Sequence, residues 1–320
     1  MQLMADSMDP GESDNARTVQ VGGYIPGAPD PAFRMSRDWR CPLPVLLSVP
    51  HAGRIYPPAL LARMRQAPFA TLRLEDRLVD RVAELVTCET GATLLVADAP
   101  RALIDLNRSP EDIDWDMIEG ASARGRRSHP SRRSRSGLGL VPRRLAGIGE
   151  IWTDRLSQAE LEERIAAVHK PYHQALGLAL ESLRDRWGAA LLIDCHSMPP
   201  LHSRFPDEPV PEFVVGDRFG ASCDPALTDR ALAFLARNGR TGSRNRPYAG
   251  GYVLERHAQP ARGIHCLQLE VCRTTYLDAE LAEPSARLAG LARLLAGLVR
   301  DLAGSLAKGG RERGMPLAAE

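Results

Sequence analysis

The chain lacks most of what would tie it to a membrane, a nucleic acid or an oxidising compartment. Aromatic residues make up only 5% of its 320 positions, too few for the stacking platform that single-stranded nucleic acids need. No apolar run reaches the roughly 18 residues that span a bilayer. The N-terminal stretch MQLMADSMDPGESDNARTVQ has no basic segment followed by an apolar one, so no secretory signal is expected. The six cysteines, at 41, 88, 195, 223, 266 and 272, form no CxxC pair, which argues against a disulfide scaffold and against a structural zinc site built on such motifs. A cytoplasmic location is the expectation by elimination. An excess of one charge is missing too: 41 Lys and Arg face 40 Asp and Glu, so no strong field favours nucleic acid or an anionic membrane.

What is present is a globular composition, 44% apolar and 25% charged, whose basic residues are nearly all arginine. Residues 1–40, rich in Asp, Ser, Gly and Pro, read as a flexible arm, residues 41–310 as one domain, and 311–320 as a tail. LPVLLSVPHAG, ATLLVADAP, RALIDLNR, AALLIDCHSM, EFVVGD and IHCLQLEVCR read as strands. Helices are expected over 72–90, with Leu74, Leu78, Val82 and Leu85 on one face, over 157–187 with a kink at Pro171, over 224–237, and over 279–308. Alternating strands and helices indicate an α/β fold with a mixed, largely parallel sheet. Residues 119–147 carry eight arginines among Ser, Gly and Pro and read as an exposed loop.

In such sheets ligands gather at the carboxyl ends of strands. Three apolar runs there deliver His51, His196 and Glu270. Two histidines on different strands can converge on zinc, which needs a third protein ligand and an open position; Asp76, with Glu75 beside it, is the best acidic supplier. Asn107 and Arg108 form a pair able to grip a carboxylate, since an arginine fork makes two parallel hydrogen bonds. Arg101 is placed to reach the same cavity or to hold a structural carboxylate. His169 and His173, four apart on a helix, have a spacing that can hold a metal, but read in preference as packing residues or supports of the site. Cys195 reads as a buried strand thiol, and the Gly250–Gly251 pair as a place of close backbone approach or a tight turn.

Taken in order, SVPHAGRIYP, LEDRLVDRVAEL, RALIDLNRSPED, RIAAVHKPYHQAL, LLIDCHSMP, GASCDPAL, GGYVLERH and LQLEVCRTTYLD resemble the N-formylglutamate amidohydrolase family from about 45 to 280. The resemblance implies a three-layer α/β/α, zinc exopeptidase-like fold similar to zinc carboxypeptidases and aspartoacylase. It implies hydrolysis of N-formyl-L-glutamate, a small anionic N-acyl amino acid, to formate and glutamate, a late step of histidine degradation. One zinc ion on His51, Asp76 and His196 is implied, with Glu270 as general base and Asn107 and Arg108 on the substrate carboxylate; Arg101 is expected to help stabilise the oxyanion. The alternatives are a non-catalytic protein on this fold, or a module binding nucleic acid or an acidic partner through the six arginines between 124 and 135.

Overall fold

A computed structural model describes residues 17–38, 42–120, 132–202 and 209–314. Runs rich in β-branched and aliphatic residues form the strands: β1 (Arg17–Gly22), β2 (Phe33–Asp38), β3 (Val45–Val49), β4 (Thr93–Ala97), β5 (Ala190–Met198), β6 (Phe213–Gly216), β7 (Gly242–Arg244) and β8 (Ile264–Cys272). They make one sheet in the order β1-β2-β4-β3-β5-β8-β6-β7. The central strands β4, β3, β5 and β8 are parallel. The pairings β1 with β2, β2 with β4, and β8 with β6 are antiparallel. The sheet is thus mixed and largely parallel at its centre, as expected.

Burial on both faces explains why these strands are apolar throughout. Val45, Leu47 and Val49 of β3 face α2 (Val79–Thr90), α5 (Pro225–Arg237) and α7 (Leu288–Gly314); Leu46 faces the opposite layer. That layer holds α3 (Gln158–Arg164), α4 (Lys170–Trp187) and the loops around α1 (Ala67–Leu74). Among the described residues, no helix is long and apolar enough to cross a membrane.

Four expectations are corrected. The arm assigned to residues 1–40 is an ordered hairpin from Arg17 to Asp38, which extends the sheet beyond β4. Its outer strand packs no face into the core: Val19 and Val21 are as exposed as their polar neighbours, and the short alternation RTVQV stands alone in a stretch rich in Asp, Ser, Gly and Pro. The 72–90 helix is two helices: α1 stops at Leu74, and a turn closes on Leu78, at φ 57°, before α2 begins. RALIDLNR is a string of turns rather than a strand; Asp105 N donates to Leu140 O, outside the sheet. The closing helix begins at Leu288 and runs on to Gly314, past the expected start of the tail. Residues 121–131, which hold the first arginines of the basic loop, lie outside the described residues.

Pro171 disturbs its helix as its chemistry requires. Without an N–H it cannot bond the carbonyl four residues back. A π turn at Ile165–His169 precedes it, and the freed Ala167 carbonyl accepts from Tyr24 N at 3.1 Å. The histidines of this region hold the 105–108 segment. His169 Nε2 donates to Arg108 O at 2.9 Å and His173 Nε2 to Leu106 O at 3.0 Å, while His257 Nε2 donates to His173 Nδ1 at 2.9 Å. His169 and His173 thus pack against and hold this segment, the role preferred for them over the metal site that their spacing allows. Gly53 permits a close backbone approach: a Cβ there would lie 2.0 Å from Ala99 O. Gly53→Ala should therefore lower the urea midpoint, by about 1–3 kcal/mol of overpacking; an unchanged midpoint would show that the two segments move apart freely.

Burial, with Arg256 nearby, pushes His257 down to about 4, and burial, with His169 and His257 beside it, holds His173 well below its ordinary value. Below about pH 6.5 the unfolded chain binds protons that the folded chain refuses. Stability is therefore complete above that pH and declines toward pH 4, by up to about 1.4 kcal/mol per pH unit for each histidine. With chelator present, the urea midpoint should fall between pH 7 and pH 5, and the fall should shrink in His257→Gln. An equal fall in both chains would contradict this account.

Candidate active site

The chain passes from β3 through α1 and α2 to β4 on one side, then returns to place β5 on the other side of β3. Such a reversal opens a crevice at the carboxyl ends of the two strands. His51 follows β3, His196 lies near the end of β5, and Glu270 sits opposite His196 in the parallel register of β8. The turn between α1 and α2 brings Asp76 to the same edge, where Asp76 N donates to His51 O at 2.8 Å. One cavity of about 160 Å³ is lined by His51, Asp76, Arg101, Asn107, Arg108, His196 and Glu270, every residue singled out in the sequence for the site.

His51, Asp76 and His196 are buried, and one potential ligand atom from each lies within 4.8 Å of the others. His196 Nδ1 donates to Asp76 Oδ2 at 2.8 Å. His51 Nδ1 is buried with no hydrogen-bond partner, 3.6 Å from the same oxygen. Each ring is turned by a carboxylate behind it: His51 Nε2 donates to Asp105 Oδ1 at 2.7 Å and His196 Nε2 to Asp194 Oδ2 at 2.8 Å. Carboxylates that hold histidine ligands in this way fix ring orientation and raise basicity. Glu75, the alternative acid, is turned toward Arg77 instead, at 3.1 Å.

The electrostatics favour a cation between these groups. Burial alone would raise Asp76, but the hydrogen bonds and charges of His196 and His51 hold its carboxyl well below the usual range. Burial pulls the His196 imidazole down, and Asp194 with Asp76 outweighs it, holding the ring well above its ordinary value. An unpartnered, buried imidazole nitrogen, a second imidazole and a carboxylate fit a divalent metal, and this donor set suits zinc.

Glu270 is pushed up to about 7, by burial first and by Asp76 and Asp194, with His196 and Arg101 opposing. For Arg101 the two placements offered as alternatives occur together. It lines the cavity, and its Nε donates to Asp105 Oδ2 at 2.9 Å. Asp105 is thereby held well below the carboxylate range, against the upward push of burial. Arg108 is buried, and its Nε and Nη1 donate to Leu138 O and Asn107 O at 3.0 and 2.8 Å. Among the described residues it has no carboxylate at ion-pair distance, and burial pulls its pKa below the ordinary value. Asn107 is less free than a substrate clamp would be: Oδ1 accepts from Val253 N at 2.9 Å, and Nδ2 lies 3.4 Å from Gln268 Oε1. Gly251 allows this, since a Cβ there would sit 2.4 Å from Asn107 Oδ1. Burial pushes the Cys195 thiol up, as befits a strand residue outside the chemistry.

Asp105, Asp194, Gln268 and Arg273 were not picked out from the sequence. A charged residue inside the apolar run LLIDCH was a usable signal for Asp194. Arg273 ties the end of β8 to the Asp76 turn, donating to Ser197 Oγ at 3.1 Å and to Glu75 O.

The sequence pattern of the N-formylglutamate amidohydrolase family matches residues 43–277. An N-formylglutamate deformylase of Pseudomonas aeruginosa is 32% identical over 278 residues, covering 85% of this chain and 95% of that protein. One from Pseudomonas putida is 31% identical over 243 residues, covering 74% and 82%. The crystal structure of N-formylglutamate amidohydrolase from Ralstonia eutropha JMP134 is 32% identical and superimposes with a TM-score of 0.78, covering 87% of this chain and 99% of that one. A protein of Agrobacterium tumefaciens, 20% identical with a TM-score of 0.58, shares the fold. With the match extending over most of its length, the chain belongs to the N-formylglutamate amidohydrolase family.

Proposed function

We propose that the protein hydrolyses the formamide bond of N-formyl-L-glutamate, or of a closely related N-acyl amino acid, to formate and the free amino acid, with a divalent metal, zinc by its donor set, on His51, Asp76 and His196. One observation carries this reading: a single small cavity joins a buried His–Asp–His group, a carboxyl raised toward neutrality, and a buried arginine with no carboxylate at ion-pair distance among the described residues. Family membership agrees with it. A metal bound by the three residues supplies a Lewis acid and acidifies water, which an unreactive formamide requires.

The chain's own groups do the rest. Arg108 offers its remaining N–H edge to the substrate carboxylate, which repays the cost of burying an unpaired charge. Holding the substrate by that carboxylate places the formamide carbon beside the imidazoles and near Glu270, so the encounter is already oriented. Glu270 takes a proton from the attacking water and hands it to the departing nitrogen. A carboxyl that titrates near 7 can do both at neutral pH, because neither form is strongly favoured. Arg101, anchored by Asp105, presents positive charge to the oxygen on which negative charge develops.

Formate release from N-formyl-L-glutamate should be lost with chelator and restored by zinc. Glu270→Gln should lower kcat about 10²- to 10⁴-fold while the protein still binds one equivalent of zinc; parental kcat in that variant would remove Glu270 from the chemistry. Arg108→Ala should raise KM by about 10- to 100-fold for carboxylate-bearing formamides and leave neutral formamides little changed. An equal loss for both substrate types would refute the clamp.

A further inference from the structure

Three buried amide and carboxyl groups form a chain whose direction is set at one end. The Val253 N–H, at the start of α6 (Tyr252–His257), can only donate, and it donates to Asn107 Oδ1 at 2.9 Å. The oxygen end of that amide is thereby fixed, and its Nδ2 faces Gln268 Oε1 at 3.4 Å. An amide nitrogen donates and an amide oxygen accepts. Gln268 therefore presents its own oxygen to Asn107 and its Nε2 to Glu270, where the distance to Oε1 is 2.8 Å. The orientations of both amides, normally free choices in a hydrogen-bond network, follow here from one backbone group. Gln268 and Glu270 share a face of β8, as residues two apart on a strand must, and Asn107, Gln268 and Glu270 are 6%, 4% and 7% exposed.

We propose that Gln268 is a positioning residue for the hydrolysis: its amide holds Oε1 of Glu270 as a hydrogen-bond acceptor, so the carboxylate is locked in orientation and Oε2 is the favoured oxygen for the proton. A carboxyl group can bear its proton on either oxygen. A donor on one lone pair of Oε1 withdraws charge from that oxygen and makes it the weaker base, so proton traffic favours the other oxygen. Asn107, next to the Arg108 clamp in sequence, is thereby joined to the base through one side chain, and substrate grip and proton transfer share a frame. The proposal rests on Glu270 being the proton carrier in the activity proposed above.

The test compares the parent chain with Gln268→Met, which keeps length and flexibility but removes both the donor and the acceptor, and with Gly251→Ala, whose Cβ would crowd Asn107 Oδ1 at 2.4 Å and disturb the chain from its far end. Steady-state kinetics with N-formyl-L-glutamate are measured beside zinc affinity, read by competition with a chromophoric chelator. The expected result is a fall in kcat of about 10- to 100-fold, the cost of a misplaced catalytic group, with KM and zinc affinity within about threefold of the parent. Should Gln268→Met fail to fold, Gly251→Ala carries the comparison. A parent that turns over, with variants at parental kcat, overturns the role of Gln268 alone; so does a loss spread equally over kcat, KM and zinc affinity, which marks a merely structural residue. A zinc-loaded parent that turns over neither N-formyl-L-glutamate nor any other N-formyl or N-acetyl amino acid overturns the underlying activity, and the proposal with it.

Discussion

Everything at this sheet edge depends on two buried carboxylate–imidazole pairs, Asp105 with His51 and Asp194 with His196. A carboxylate taken out of water is costly unless it is paired and hydrogen-bonded. Asp194 meets that requirement by accepting from His196 on one oxygen and from Ser48 Oγ, at 2.8 Å, on the other; the Tyr172 hydroxyl in turn donates to Ser48. Asp105 meets it with His51, Arg101 and the backbone N–H of Asn107. Each pair uses up the Nε2 of its histidine and leaves Nδ1 directed toward Asp76. The orientation of both rings is thus a consequence of neutralising charge inside an apolar layer. Removing either aspartate would leave a ring without its reason to face inward.

The second requirement is that residues far apart in sequence be held to one frame. Asp76 lies on a turn between two helices, Arg101 to Arg108 on a turn-rich connection, and Glu270 on a central strand. None of the connecting segments has a sheet ladder to hold it. Beside the backbone bonds of Asp76 to His51 and Asp105 to Leu140, side chains fasten them: His169 of the π turn and His173 of α4 bind the carbonyls of Arg108 and Leu106, Arg273 binds the carbonyl of Glu75, and Asn107 bridges to α6 and β8. Substituting one of these fasteners should therefore move catalytic geometry before it unfolds the chain.

Legibility in the sequence followed the same division. His51, His196 and Glu270 could be found because each is a polar residue at the carboxyl end of an apolar strand, where the crevice of an α/β sheet forms. Arg108 could be found by type and by its neighbour. The supporting residues could not, since Asp105 and Gln268 act only on other side chains brought in by the fold. The break before α2 was hidden because Leu74, Leu78 and Val82, all buried, keep a helical period straight through the turn. Periodicity reports which residues are inside; it does not report that Glu75 is extended and Leu78 left-handed, the two departures from helical backbone that flank Asp76 in the turn. Likewise Leu103, Ile104 and Leu106 are buried as a strand's residues would be, but on turns.

The charge of the cavity bears on which substrates it can hold. Arg73, Arg101, Arg108, Arg133 and Arg273 line it, against Asp76 and Glu270, with Asp105 and Asp194 immediately behind. The balance is positive before any metal is added, and it surrounds a space small enough that little bulk water can screen it. A neutral formamide gains nothing from that field, whereas an N-formyl amino acid with an acidic side chain brings two negative charges to it. Two arginines are already committed, Arg101 to Asp105 and Arg273 to the Glu75 carbonyl, and Arg108 is the deepest that retains an unused N–H edge. On the proposed reading, charge and its position would select substrates here more than the shape of an apolar wall, of which the cavity has little.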